Sequence, residues 1–270
     1  VTTDDIDEPL DTMQVRLVRV IHPEFKNGIY DYSVFQKLHG NFLIPLEVIY
    51  RNSLPPGSSV FRRLERGEIS PEDLGLDHYP KPGERLEKPI LDVSTKLERT
   101  DRYISWEEAQ RITGMSEDEI ALMKDTLEKV NDLITSVYRG IGLENEDGKV
   151  EFAFDPQRRL MVVDAIGTLD ECRFTWNGVP VSKQIARDYY KRTSWYRDVE
   201  RAKKEARERG IQDWKKLCQS KPEELPEDLK KLVSQIYMST ANAVLGKEIF
   251  DSSPLEKVLK ELGEYMSSLK

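Results

Sequence analysis

Cysteine and histidine are scarce: Cys172 and Cys218 are the only thiols, and His22, His39 and His78 the only imidazoles, among 270 residues. Two thiols are too few for a disulfide framework or a four-thiolate metal site, and histidines this widely spaced give no zinc-ligand pattern. A reducing interior is the natural setting. No long apolar run and no secretory leader is present, so neither a membrane span nor export is expected, and the location implied is cytoplasmic. The sequence also lacks a Gly-x-Ser-x-Gly, a cysteine–histidine pairing and a compact glycine-rich nucleotide loop. Covalent acyl-enzyme chemistry therefore has no carrier.

Charge, by contrast, is abundant. Charged residues make up 33% of the chain and the formal net charge is −8, which gives a soluble surface and argues against duplex nucleic acid as a general partner. A small anionic substrate stays open, because local arginines and lysines decide that question. A chain of this length can bury a sizeable core as one large domain or two lobes.

Met13 to Val20 and Phe42 to Tyr50 read as strands, with Pro45 marking a bulge or free edge in the second. Arg51 to Ser59 reads as loop because of Pro55, Pro56 and Gly57, and residues 68 to 92 as an irregular surface connection. Ser105 to Glu108 has the spacing of a capping box and opens a short helix ending near Gly114; Ser116 to Glu119 repeats the signal. From there Ile120, Met123, Leu127, Val130, Ile134 and Val137 recur at helical spacing until Gly140. Residues 149–154 and 160–165 alternate as two strands of a hairpin. Pairing Glu151 with Asp164 leaves a four-residue loop, 156–159, and gathers Lys149, Glu151 and Asp164 on one face. The final third is helical: a solvated helix over Val199 to Arg209, an apolar-striped one from Pro226 toward Gly246, and a third over Pro254 to Leu269.

Several polar groups in this frame suit phosphate and carboxylate chemistry. Asp164, at the end of a hydrophobic strand, needs a cation if buried, and magnesium on nucleotide phosphates matches carboxylate oxygens. Glu151 can share that ion, and Lys149 can place its ammonium on a phosphate during transfer. A structural salt-bridge cluster explains the same pattern equally well. Asp170 and Arg173 read as part of a connection, with Arg173 offering a planar fork to an oxyanion. Arg51 offers another, and the Gly57 and Ser58 amides with the Ser58 hydroxyl could complete an anion nest. Thr95 to Arg102 reads most simply as an ion-paired linker.

Taken together, these segments resemble the SAICAR synthetase family. The resemblance lies in Ile44 to Asn52 (IPLEVIYRN) with Gly57-Ser58, in Thr95-Lys96 with Asp101 to Ser105 (DRYIS), and in residues 147–151 and 164–173. It continues in Val181 to Tyr189 (VSKQIARDY) and Pro222 to Pro226 (PEELP), and covers roughly residues 42 to 246. It implies a two-lobed α+β fold with antiparallel sheets, an ATP-grasp-like C-terminal part and the active cleft between the lobes. Residues 1–94 would form a partial or divergent N-terminal ATP- and CAIR-binding lobe, 95–200 a central catalytic α+β domain, and 201–270 a helical region on the main body.

The activity implied is that of an ATP-dependent ligase joining the CAIR carboxylate to the amine of L-aspartate, giving SAICAR, ADP and phosphate, with self-association common among members. By that similarity Asp164 is the magnesium carboxylate, Glu151 an ATP-site carboxylate sharing the ion, and Lys149 the lysine near the transferring phosphoryl group. Arg51, Ser58 and Arg173 look like CAIR ligands, Asp170 positions that side, and Lys96 and Asp101 contribute around the nucleotide. Three departures stand out: Asp164-Ala165-Ile166 replaces Asp-Glu-Ile, Asp147-Gly148-Lys149 replaces Asp-Phe-Lys, and the family's glycine-rich strand pair has no counterpart before Val15. A small-molecule kinase or a noncatalytic nucleotide- or metabolite-binding module are the alternatives.

Overall fold

The computed structural model describes residues 15–211 and 213–268. In chain order these form β1 (Glu24–Lys26), β2 (Ile29–Asp31), β3 (Phe42–Leu54), α1 (Ser59–Glu65), β4 (Glu84–Thr95), α2 (Trp106–Thr113), α3 (Glu117–Gly140), β5 (Glu144–Phe154), β6 (Leu160–Val163), β7 (Cys172–Trp176), β8 (Val179–Pro180), α4 (Gln184–Tyr190), α5 (Ser194–Glu208), α6 (Glu227–Leu245) and α7 (Leu255–Ser268). They divide into two compact units, one of Val18–Arg139 with Glu144–Phe174, the other holding 140–143 and 175–268. The architecture is α+β with antiparallel strand pairing throughout the named strands.

In the first unit the sheet runs β4-β3-β5-β7, with β6 paired to the end of β5. Alternation sorts its side chains. Leu46, Val48 and Tyr50 of β3 and Val150, Phe152 and Phe154 of β5 are at most 1% exposed, and α3 covers that side with Met123 and Leu127. Tyr138 of α3 stacks on Phe174 of β7 with centroids 3.8 Å apart. Between helix and sheet, Asn52 and Asn131 exchange amide hydrogen bonds of 2.8 and 2.9 Å, and Asn145 donates to Asn131 and Thr135. These buried amides are satisfied by one another, which is what allows them inside. The other side of the sheet is polar, carrying Glu47, Arg51, Asp92, Asp147, Lys149, Glu151 and Arg173.

Helix termini follow the capping signals. Ser105 Oγ accepts from the Glu108 amide at the start of α2, and Gly114 closes it at φ 67°. At α3 the box is reciprocal: the Glu119 amide donates to Ser116 Oγ at 3.2 Å and the Ser116 amide to Glu119 Oε2 at 2.9 Å. In the second unit α5, α6 and α7 occupy the expected helical third, with Gly246 capping α6 at φ 63°. α5 is not wholly solvated, since Val199, Ala202 and Ala206 are buried.

The strands depart from the expectation in four places. Val15 to Val20 forms no strand, only a bridge from Arg19 to Phe42, while Met13 and Gln14 lie outside the described residues. β3 extends through Arg51–Leu54 instead of stopping at Tyr50, because β5 pairs with it as far as Arg51 and β4 as far as Leu54. Pro45 does sit at a register shift, between Leu43 and Glu47, in a strand with neighbours on both sides. Residues 84–92, expected as connection, are β4: an edge strand tolerates Pro89 because its register shifts between Arg51 and Ser53 of the partner.

The fourth departure concerns the β5–β6 hairpin. Glu151 pairs with Val163, not Asp164. Arg158 takes φ 60°, the Arg158 amide donates to the Asp155 carbonyl and the Asp155 amide to the Arg159 carbonyl, so three residues turn the chain where four were expected. A type I turn followed by a left-handed residue is the standard three-residue hairpin, and it moves the register by one. The Asp155 carboxylate holds it by accepting from the Gln157 and Arg159 amides. Asp164 then leaves the strand at φ 65°.

Gly148 stands where a side chain has no room. It pairs with Tyr50, and a Cβ there would lie 2.3 Å from the tyrosine Oη and 2.8 Å from Cys172 Sγ. The neighbouring strand thus supplies the ring that position 148 lacks. Gly148→Ala is expected to cost about 1–3 kcal/mol by overpacking; urea unfolding of the variant checks this, and an unchanged midpoint would mean the Tyr50 ring yields freely.

Candidate active site

On the polar side of the sheet, β3, β4, β5 and β7 each contribute charges at alternate positions, so groups far apart in sequence become neighbours. Two clusters result.

The first is cationic. Arg51, 2% exposed at its side chain, donates from Nη2 to Asp92 Oδ2 at 3.0 Å and lies 3.5 Å by Nη1 from Asp147 Oδ2. The same Nη2 reaches Ser59 Oγ and the Tyr103 hydroxyl. Arg173 grips Asp147 with two donors, Nε to Oδ1 at 2.7 Å and Nη2 to Oδ2. Arg63 adds a 2.6 Å contact to Asp92. Burial opposes the Arg51 charge, but Asp92, Tyr103 and Asp147 outweigh it and raise its pKa. Arg51 Nε is buried with no hydrogen-bond partner among the described residues. An orphaned guanidinium donor is an invitation to an oxyanion.

The second cluster joins lysines to glutamates. Lys149 Nζ lies 2.7 Å from Glu47 Oε1 and 3.3 Å from Glu171 Oε2, and Lys96 pairs with Glu151 and stands 3.9 Å from Glu47. Burial disfavours the Lys149 charge, yet Glu47 and Glu171 hold its pKa well above the usual range. Burial raises the Glu151 carboxyl, Lys96 pulls it down, and the nearby Asp164 charge pushes it up again. Partial burial and the Glu47 charge likewise raise Asp101, against Lys149 and Lys96. Lys149 is therefore an ammonium at neutral pH.

The expected residues are distributed unevenly over this geometry. Lys149, Glu151 and Lys96 meet directly, with Asp101 and Asp164 within electrostatic reach. Arg51 and Arg173 meet through Asp147. Arg173 stands on strand β7 and not in a connection, since Cys172 to Trp176 pair as strand, while Asp170 is exposed in the turn before it. Asp164 is exposed too, because its left-handed backbone carries it out of the sheet, so burial does not itself demand a cation there. Ser58 caps α1, its Oγ accepting from Val60 N at 3.4 Å, and its amide donates to the Pro55 carbonyl, which leaves the proposed nest without that donor. Lys96 follows directly after β4 and lies in the cluster itself, not in a mere linker.

Glu47, Asp92, Arg63, Tyr103 and Glu171 were not foreseen. Glu47 could have been, since alternation along β3 puts it on the face of Arg51. Asp92, Tyr103 and Arg63 depend on strand β4 and on α1, whose placement no local pattern announces, whereas Glu171 lies in the 164–173 segment and meets Lys149 just before β7.

A family model described as SAICAR synthetase matches residues 33–208. A relative from Archaeoglobus fulgidus, itself only provisionally assigned as a phosphoribosylaminoimidazole-succinocarboxamide synthase, is 47% identical over 263 residues, 97% of this chain and 76% of its own. The phosphoribosylaminoimidazole-succinocarboxamide synthase of Thermoplasma acidophilum is 34% identical over 230 residues, 80% of this chain and 73% of that one. Among solved structures, SAICAR synthase from Saccharomyces cerevisiae complexed with SAICAR is similar with a TM-score of 0.54 at 23% identity, a likeness of fold. It covers 76% of this chain, and the chain spans 62% of the yeast one.

The Asp147 junction carries a stability prediction. Asp147→Ala leaves two guanidinium groups without their shared carboxylate and is expected to cost about 3–5 kcal/mol. Asp147→Asn, which keeps the shape and one acceptor, should cost less. Urea denaturation of both variants decides; equal, small losses would mean that the arginines find other partners.

Proposed function

The chain belongs to the SAICAR synthetase family, and we propose that its charged sheet face performs the family's reaction: ATP-dependent joining of CAIR and L-aspartate to give SAICAR, ADP and phosphate in purine biosynthesis. The observation that carries the reading is the adjacency of an arginine cluster with an unmet donor to a lysine–carboxylate cluster on one sheet face. The first suits the acidic ribotide, the second the nucleotide phosphates.

The roles follow from chemistry. Arg51 and Arg173 bind oxyanions of CAIR, with Ser58 holding the start of α1 beside Ser59 and Asp170 on the exposed rim. A carboxylate oxygen of CAIR attacks the γ-phosphorus of ATP, the β,γ-bridging P–O bond breaks, and ADP leaves. Lys149 steadies the charge on the transferring group from the side of Glu47 and Glu171, and Lys96 and Asp101 frame the nucleotide. The aspartate nitrogen then attacks the acyl phosphate, expelling phosphate and losing a proton. ATP thus turns a poor leaving oxygen into a good one.

Magnesium fits the residues present. Among the described residues no group of three acidic, histidine or cysteine side chains could hold an ion. Magnesium bound mainly through phosphate oxygens needs only one or two carboxylates, which Asp164 and Glu151 supply. When bound, it would neutralise phosphate charge. Ala165 offers no carboxylate in place of the family's glutamate, so that share passes to Glu151, water or a neighbour.

The broader setting belongs to the same reading. Residues 1–94 form a partial or divergent ATP- and CAIR-binding lobe, 95–200 carry the catalytic groups, the C-terminal part is ATP-grasp-like, the enzyme works in the cytoplasm, and self-association fits the family. No described helix is long and apolar enough to cross a membrane.

Incubating the protein with Mg-ATP, CAIR and L-aspartate, with aspartate omitted in parallel, tests the assignment. SAICAR and ADP in equal amounts, with SAICAR absent when aspartate is withheld, is the expected result. A stable phosphorylated product without aspartate would make it a kinase, and ligand binding without turnover would make it a noncatalytic module.

A further inference from the structure

Arg63 has no place in the roles assigned above, yet it is 11% exposed and tied into the arginine cluster. Its Nη1 contacts Asp92 Oδ2 at 2.6 Å, the oxygen that also accepts from Arg51 Nη2 at 3.0 Å. Its guanidinium lies 4.4 Å over the Tyr103 ring, and that ring also meets the Arg51 guanidinium at 5.8 Å. The Tyr103 hydroxyl accepts from Arg51 at 3.3 Å. The other Asp92 oxygen takes the Val93 amide. Two guanidinium groups therefore compete for one carboxylate oxygen, with one aromatic ring near both.

The charge balance makes that competition consequential. Arg51, Arg63 and Arg173 face Asp92 and Asp147, which leaves one positive charge over. In a site this dry an excess charge seeks an anion. Without Arg63 the arginines and aspartates balance, and Asp92 turns its full charge on Arg51. Arg51 would then have less to offer a ligand although no contact between Arg63 and ligand was lost.

We propose that Arg63 is a positioning residue: by sharing Asp92 and stacking on Tyr103, it frees Arg51 to hold the oxyanion of the ribotide substrate. This rests on the assignment of Arg51 to that substrate. Arg63 sets affinity for the oxyanion and leaves phosphoryl transfer alone, because among the described residues the ion pairs of the lysine–carboxylate cluster do not include it.

The test compares Arg63→Gln and Arg63→Lys with the parent protein in steady-state kinetics and in direct calorimetric titration with inorganic phosphate. Arg63→Gln should raise KM for CAIR about tenfold or more, with kcat and KM for ATP changed less than about threefold. Phosphate binding should weaken in parallel, and Arg63→Lys, which restores the charge, should recover most of both. Arg63→Met serves as the neutral variant if the glutamine does not fold. An unchanged KM for CAIR, a uniform loss in kcat and both KM values, or a lysine variant as poor as the neutral one would overturn the proposal. Absence of SAICAR formation by the parent protein would instead overturn the functional assignment, and the phosphate titration still decides the role of Arg63.

Discussion

Asp147 holds two arginines from two different strands. Arg51 reaches it from β3 and Arg173 from β7, on either side of the strand that carries it. A carboxylate 6% exposed is costly to bury without such partners, and so is the Arg51 guanidinium without the carboxylates. Each charge is tolerable only because the others are there. The rest of the polar face depends on this mutual requirement, since it fixes which side of three adjacent strands faces the chemistry. On the opposite side, Tyr50 fills the space over Gly148 and α3 seals the sheet, so the same backbone that aligns the charges also builds the core.

From that junction the two ends of the site diverge. Toward Asp92 the balance is cationic and a donor is left over; toward Glu47 and Glu151 lysines and carboxylates alternate. A ligase that activates a carboxylate with ATP needs both, because one substrate must be gripped by its acidic groups while charge migrates across the other. Placing them two residues apart on β5, at Asp147, Lys149 and Glu151, is an economy that strand alternation provides without any special loop. The left-handed backbone of Asp164 and of Leu97, at φ 65° and 73°, borders the same region and marks where the strands give way to connections.

Local chemistry made much of this legible. Ser116 and Glu119 announced α3 because a capping box satisfies backbone donors within four residues, and the helical final third of the chain followed from periodicity. Lys149, Glu151, Arg51 and Arg173 were visible as a set that core packing does not require. What stayed hidden depended on partners. Arg51–Leu54 look like loop until β4 is known to lie beside them, and β4 looks like connection because Pro89 is acceptable only at an edge. Arg158 hides its left-handed turn, which glycine or asparagine would have advertised, and that single residue moved the pairing of Glu151 by one. Two hairpin turns were signalled and went unread: Asn27-Gly28 between β1 and β2, and Asn177-Gly178 between β7 and β8, with φ positive at all four residues.

The central claim is that one sheet face carries two separable binding functions. Calorimetric titration of Asp164→Asn and Arg173→Ala with CAIR alone and with Mg-ATP alone tests it most directly. The account predicts a crossed pattern, with Asp164→Asn weakening Mg-ATP binding and sparing CAIR, and Arg173→Ala doing the reverse. Equal losses of both ligands in both variants would contradict it.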